Sequence, residues 1–113
     1  MLPRVLARRE RAAQLLDEAR EQRAAGRLGA AERTLEEALA QPSLAQLTRV
    51  GCYLELGKTL DQLGRRFAAQ ACYRRVMSLT DDVALRGEAR RLYRSPERRS
   101  PSRSLPDESS PLE

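Results

Sequence analysis

Tyr53-Leu-Glu-Leu-Gly57-Lys-Thr-Leu60-Asp-Gln-Leu-Gly64-Arg-Arg-Phe67-Ala-Ala69-Gln-Ala-Cys-Tyr73-Arg-Arg-Val76 decides the fold. Tyr53, Leu56 and Leu60 share one side of a helix of 3.6 residues per turn, and Ala69, Tyr73 and Val76 repeat the pattern after Gly64. Each apolar stripe needs a partner, and the nearest is the other stripe. Gly64 can take the left-handed conformation that ends one helix and reverses the chain, so the stretch predicts an antiparallel helical hairpin.

Tyr53-x-x-Leu56-Gly57-x-x-Leu60 followed by Ala69-x-x-x-Tyr73 resembles the tetratricopeptide repeat, whose pattern is W-x-x-L-G-x-x-Y and then A-x-x-x-F. The resemblance implies that Gly57 is small to admit the paired helix and that Ala69 packs into the space left. The aromatic after the turn stands at Phe67, one residue later than in the family, and Asp81 stands where the pattern closes on proline.

An earlier, weaker copy precedes it. Ala12, Leu15, Ala19 and Gln22 mark a stripe on a helix from about Arg4 to Ala25, with Leu16 beside it. Gly26-Arg27-Leu28-Gly29 breaks that pattern, and Leu28, Ala31, Leu35 and Ala38 restore it over a second helix that stops before Pro42. Leu15 stands where Tyr53 stands, thirty-eight positions away. Ser43 with Gln46 forms a capping-box pattern, placing the start of the third helix at Leu44. The fourth runs from about Arg65 to Leu79, and Thr80 is read as the cap of a fifth, with Asp81 and Asp82 in its first turn. Leu85, Ala89 and Leu92 give that last helix an apolar stripe able to cover the second hairpin, as capping helices do at the ends of repeat arrays.

The expected architecture is therefore all-α: about five helices in a right-handed, tetratricopeptide-like stack over residues 4–94, with hairpins at 4–41 and 44–79 and a capping helix at 81–94. From residue 95 to 113 the chain turns to Ser, Pro and Arg with few large apolar residues, which predicts a disordered tail. Ser95-Pro96, Ser100-Pro101 and Ser110-Pro111 there are read as linker composition, with proline-directed phosphorylation the alternative. Two hairpins and a cap are close to the least that buries a continuous core, so marginal stability or self-association is expected.

Composition narrows the function. The chain has 113 residues, 41% hydrophobic and 33% charged, enough for one small domain, and its aromatics are only 4%, so Leu and Ala must build the core. Histidine is absent and Cys52 and Cys72 are the two cysteines, which excludes a closed Cys/His zinc site and removes the commonest general base. Both thiols are expected free and half-buried. No phosphate-binding glycine loop or nucleophile motif occurs, so neither an enzyme nor a cofactor is expected.

No apolar run suits a signal peptide or a membrane span. The first nine residues are Arg-rich and acid-free like a mitochondrial presequence, but Glu10, Asp17 and Glu18 follow closely. They are read as a solvated helix face of a cytoplasmic protein, with a mitochondrial location as the alternative.

Charge is uneven. Residues 44–80 carry Arg49, Lys58, Arg65, Arg66, Arg74 and Arg75 against Glu55 and Asp61, whereas the first 43 residues hold 8 Arg against 7 acids. A basic second half suits an acidic partner. The resemblance implies protein–protein recognition in a concave groove lined by the first helix of each hairpin. Its groove-facing positions are Leu16, Arg20 and Arg23, then Leu54, Glu55, Lys58 and Gln62, and in the last helix Arg86, Arg90 and Tyr93. Apolar residues beside cations suit an acidic or amphipathic segment of a partner protein. Family members that clamp a terminal carboxylate use Lys and Asn at positions held here by Leu16, Arg20, Glu55, Val83 and Gly87, so that activity is not implied. The alternative is an accessory protein binding RNA through its arginines, although aromatic stacking partners are few.

Overall fold

The computed structural model describes residues 2–96, with side chains from residue 11 onward. The expected tail lies outside the described residues apart from Ser95 and Pro96, as do the side chains of the Arg-rich first nine residues. The fold is all-α. Five helices follow in order, α1 (Leu2–Ala24), α2 (Leu28–Leu39), α3 (Gln46–Gln62), α4 (Arg66–Leu79) and α5 (Val83–Arg94), with no strand among the described residues. None of them is long and apolar enough to cross a membrane.

The same glycine turn closes both hairpins. Gly26 (φ 81°) and Gly64 (φ 83°) are left-handed, where a Cβ would be strained. At the first, Gly26 N–H donates to Arg23 O at 3.0 Å and Arg27 N–H to Gln22 O at 2.8 Å. At the second, Gly64 N–H donates to Asp61 O at 3.0 Å and Arg65 N–H to Leu60 O at 2.8 Å. Both are Schellman caps, satisfying carbonyls that the helix end would otherwise leave open.

Alternate use of the helices buries one core. Leu15, Leu16 and Ala19 of α1, Leu35 and Ala38 of α2, and Val50, Cys52, Leu54, Leu56 and Leu60 of α3 join Ala69, Cys72, Tyr73 and Val76 of α4. Ala89 and Leu92 of α5 complete the same cluster. α3 packs against α1, α2 and α4, so the two hairpins are in contact, and α5 packs on α4. Gly57 lies against the ring of Tyr73: a Cβ there would come within 2.9 Å of ring atoms Cδ1 and Cζ. The space at Gly57 is therefore taken by the Tyr73 ring, and Ala69 is fully buried in the same core.

A buried carboxylate locks the far end of this hairpin. Asp61 accepts from the Tyr73 hydroxyl at 2.7 Å and from Arg66 Nη1 at 2.9 and 3.0 Å. Arg66 Nη2 also donates to the carbonyls of Leu92 and Tyr93, and Gln70 donates to the Tyr93 carbonyl at 3.0 Å. One arginine thus ties α3, α4 and the open C-terminal carbonyls of α5, a site where positive charge is favoured.

Two helix starts differ from expectation. α3 begins at Gln46 with Ala45 as N-cap and no side-chain cap, and the Gln46 side chain instead reaches the end of α4, its Nε2 donating to Leu79 O at 2.7 Å. At α5 the cap is Asp82, which accepts from Leu85 N–H at 2.9 Å, while Thr80 Oγ1 accepts from Asp82 N–H at 3.1 Å and shapes the turn before it. The carboxylate reaches the first free amides of the helix where Thr80 is too far upstream.

Candidate functional site

On one face of α3, Leu47, Gly51 and Leu54 fall at helical spacing and look toward α1 and α5. Gly51 sets the distance: a Cβ there would come within 2.9 Å of Leu16 Cδ2, so its hydrogen lets α1 close on α3. Leu16, Leu54 and Leu85 line a groove of about 370 Å³ with Ala13, Thr48 and the stems of Asp17 and Arg20. Leu16 and Leu54 are buried as floor, whereas Leu47 stands on the rim 74% exposed. An exposed leucine beside an apolar floor is an unfilled apolar contact.

The same face becomes ionic toward the other end. Glu55 is only 6% exposed, and charge buried to that extent requires partners. Arg23 Nε donates to it at 2.9 Å, Arg20 Nε lies 3.6 Å away and Lys58 Nζ 3.8 Å away. Lys58 also pairs with Glu88 of α5 at 3.1 Å, Arg23 Nη1 donates to Gln62 at 3.2 Å, and Arg20 pairs with Asp17 at 3.5 Å. Three cations therefore meet three carboxylates, joining α1, α3 and α5 in one network.

The structure thus brings Leu16, Arg20, Arg23, Leu54, Glu55, Lys58 and Gln62 onto one continuous face. It does not bring Arg86, Arg90 and Tyr93 there. Arg86 Nη1 donates to the carbonyls of Met77 and Thr80, closing the C-terminal end of α4. Tyr93 Oη accepts from Arg74 of α4 at 3.2 Å. Arg90, four residues after Arg86 and three before Tyr93, shares their side of α5 and is exposed. The residue that α5 turns to the network is Glu88. Leu47, Gly51, Leu85 and Glu88 were not among the expected site residues, although the spacing of Leu47, Gly51 and Leu54 is a helical face legible in sequence.

No protein-family model, curated protein or solved structure matches the chain.

No cluster of three or more His, Cys, Asp or Glu among the described residues has the arrangement of a metal site. Cys52 and Cys72 are free and buried. Burial pushes both thiols up to about 11; nearby Arg20 partly offsets this at Cys52, and Asp61 adds to it at Cys72. Neutral, enclosed thiols of this kind are poor nucleophiles.

Proposed function

We propose that the chain is a right-handed, tetratricopeptide-like stack of two hairpins and a capping helix, and that it acts as an adaptor holding a segment of a partner protein between α1, α3 and α5. Three features support the stack. The Schellman turn recurs at Gly26 and Gly64, α3 packs against both helices of the first hairpin, and Gly57 accommodates a bulky residue of its paired helix. The observation that carries the binding reading is the groove, with a buried leucine floor and the exposed rim residue Leu47.

Its chemistry favours an amphipathic segment over a purely acidic one. Arg20, Arg23 and Lys58 already face Glu55, Glu88 and Asp17, so little positive charge is left to reward a carboxylate there. A leucine or isoleucine entering beside Leu16, Leu54 and Leu47 gains burial, and a polar flank meets Arg20 and Asp17 at the rim.

The test compares affinity-purified partners of the wild type, Leu47→Asp and Val83→Asp. Leu47 and Val83 are 74% and 85% exposed, so neither substitution disturbs the core, and only Leu47 lines the groove. The proposal expects partners that Leu47→Asp loses and Val83→Asp keeps. Identical partner lists for all three proteins would refute it.

A further inference from the structure

The outer side of α4 carries a second feature that shares no lining residue with the groove. Phe67, Ala71, Arg74 and Ser78 recur at helical spacing and all are exposed, Phe67 to 88%. Ala71, Met77 and Ser78, with Arg74 and Arg75, line a shallow depression of about 640 Å³. Its floor is apolar and its charge is positive.

The two arginines are held in place. The Arg74 guanidinium lies 5.8 Å from the centroid of Tyr93 and donates to that hydroxyl at 3.2 Å; Arg75 lies 5.2 Å from the centroid of Tyr53 and donates at 3.4 Å. The rings come from α5 and α3, so α4 has an anchored guanidinium on either flank. Cation–π contact and one hydrogen bond restrict each side chain before any ligand arrives, which lowers the ordering cost of binding. Neither arginine pairs with a carboxylate among the described residues. Both arginines are exposed, and exposed Arg90 extends the positive field along α5.

We infer that this face of α4 is a second docking surface, which takes an acidic amphipathic helix of a partner protein, with apolar side chains against Phe67, Ala71 and Met77 and carboxylates on Arg74 and Arg75. Charge complementarity selects the occupant. A guanidinium presents parallel N–H groups that match a carboxylate, and the apolar surface that Ala71 and Met77 offer beside the two arginines suits the leucine side of a helix. A single-stranded nucleic acid fits less well, because stacking platforms are few: Phe67 is strongly exposed, whereas Tyr53 and Tyr93 are half-buried and each hydroxyl already accepts from an arginine.

The experiment uses the full chain and fluorescence anisotropy with three probes. One is a synthetic helical peptide with leucines along one side and glutamates flanking them, the second has glutamine in place of every glutamate, and the third is oligouridine RNA. The acidic peptide is expected to bind, and the glutamine peptide to bind at least about tenfold more weakly, the scale of one or two lost charge-assisted bonds. Arg74→Glu/Arg75→Glu and Phe67→Ser should each weaken the acidic peptide at least about tenfold, while Leu47→Asp leaves it unchanged. Circular dichroism melts verify that the variants remain folded, as the exposure of all four residues predicts. Equal binding of both peptides, loss of binding in Leu47→Asp, no saturable binding, or RNA binding tighter than peptide binding and abolished by the Arg74/Arg75 change would each overturn the inference.

Discussion

Gly57→Ala tests the packing on which every surface described above depends. One methyl group is added in the middle of α3, where alanine is intrinsically the better helix former by about 1 kcal/mol. In the structure that methyl would overlap Tyr73 Cε1 and approach Cδ1 and Cζ to 2.9 Å. The ring is fully buried and its hydroxyl is held by Asp61 at 2.7 Å, so it cannot swing aside as an exposed side chain would. Overpacking of this kind costs about 1–3 kcal/mol. Displacing the hydroxyl from a buried carboxylate adds about 1.5–3 kcal/mol. Set against the helical gain, the net loss is about 2–4 kcal/mol, since the ring shift and the hydrogen bond are partly the same displacement.

For a domain of this size that loss lowers the melting temperature by roughly 10–30 °C. Gly87→Ala is the matched control, because α5 has nothing within 4 Å of the added Cβ; it should raise stability by about 0.5–1 kcal/mol. Urea denaturation of both variants in parallel measures the contrast directly. In a Tyr73→Leu background the clash is gone, and Gly57→Ala should then be neutral or stabilising. A Gly57→Ala protein as stable as the wild type, with Gly87→Ala no better, would refute close packing of α3 on α4 at this point.

Asp61→Asn removes a carboxylate that two donors share, and is expected to cost about 2–4 kcal/mol in urea denaturation while raising amide exchange along residues 83–94, which Arg66 then holds less well. Glu55→Gln keeps the shape and removes the charge; because Lys58 retains Glu88 and Arg23 retains Gln62, the loss should stay at about 1–3 kcal/mol in the same assay. The buried thiols give a pH signature: with ionisation raised from 9.0 to about 11, their contribution is complete below pH 9 and is lost as pH rises toward 11, where the unfolded thiols are already ionised. Melting temperatures across that window should fall less in Cys52→Ala/Cys72→Ala than in the parent, each measured against its own value at pH 8.

Periodicity made the helices legible because burial on one face is a repeated, local signal, and Gly26 and Gly64 marked the turns because few residues tolerate their backbone angles. The start of α3 was misread for a physical reason. Ser43 and Gln46 satisfy a local capping rule, but the helix starts at Gln46 itself, whose side chain is directed to Leu79 O, thirty-three residues away in sequence. The rotation of α5 was equally hidden. Leu85, Ala89 and Leu92 identify its buried side, yet whether Glu88 or Arg86 borders the groove depends on where α4 ends and on Arg86 finding the carbonyls there. Glu55 and Lys58 were recognisable as one face, whereas their pairing with Arg23 and Glu88 requires three helices to meet.

That pairing changes what the excess of arginine means. By count, the positive charge of the second half points to an acidic ligand in the groove, but in the folded chain the groove cations meet Glu55, Glu88 and Asp17 at close range. Their field is largely cancelled within the network, and what remains there is shape and apolar surface. Arg74, Arg75 and Arg90 have no such carboxylates beside them among the described residues, so the uncompensated field lies over α4 and α5. Long-range attraction and apolar fit are therefore properties of different faces. Salt should weaken ligands of the α4 face far more than ligands of the groove, because exposed charges are screened and buried apolar contacts are not. A groove ligand with the steeper salt dependence would show that the Glu55 network opens on binding and releases its cations.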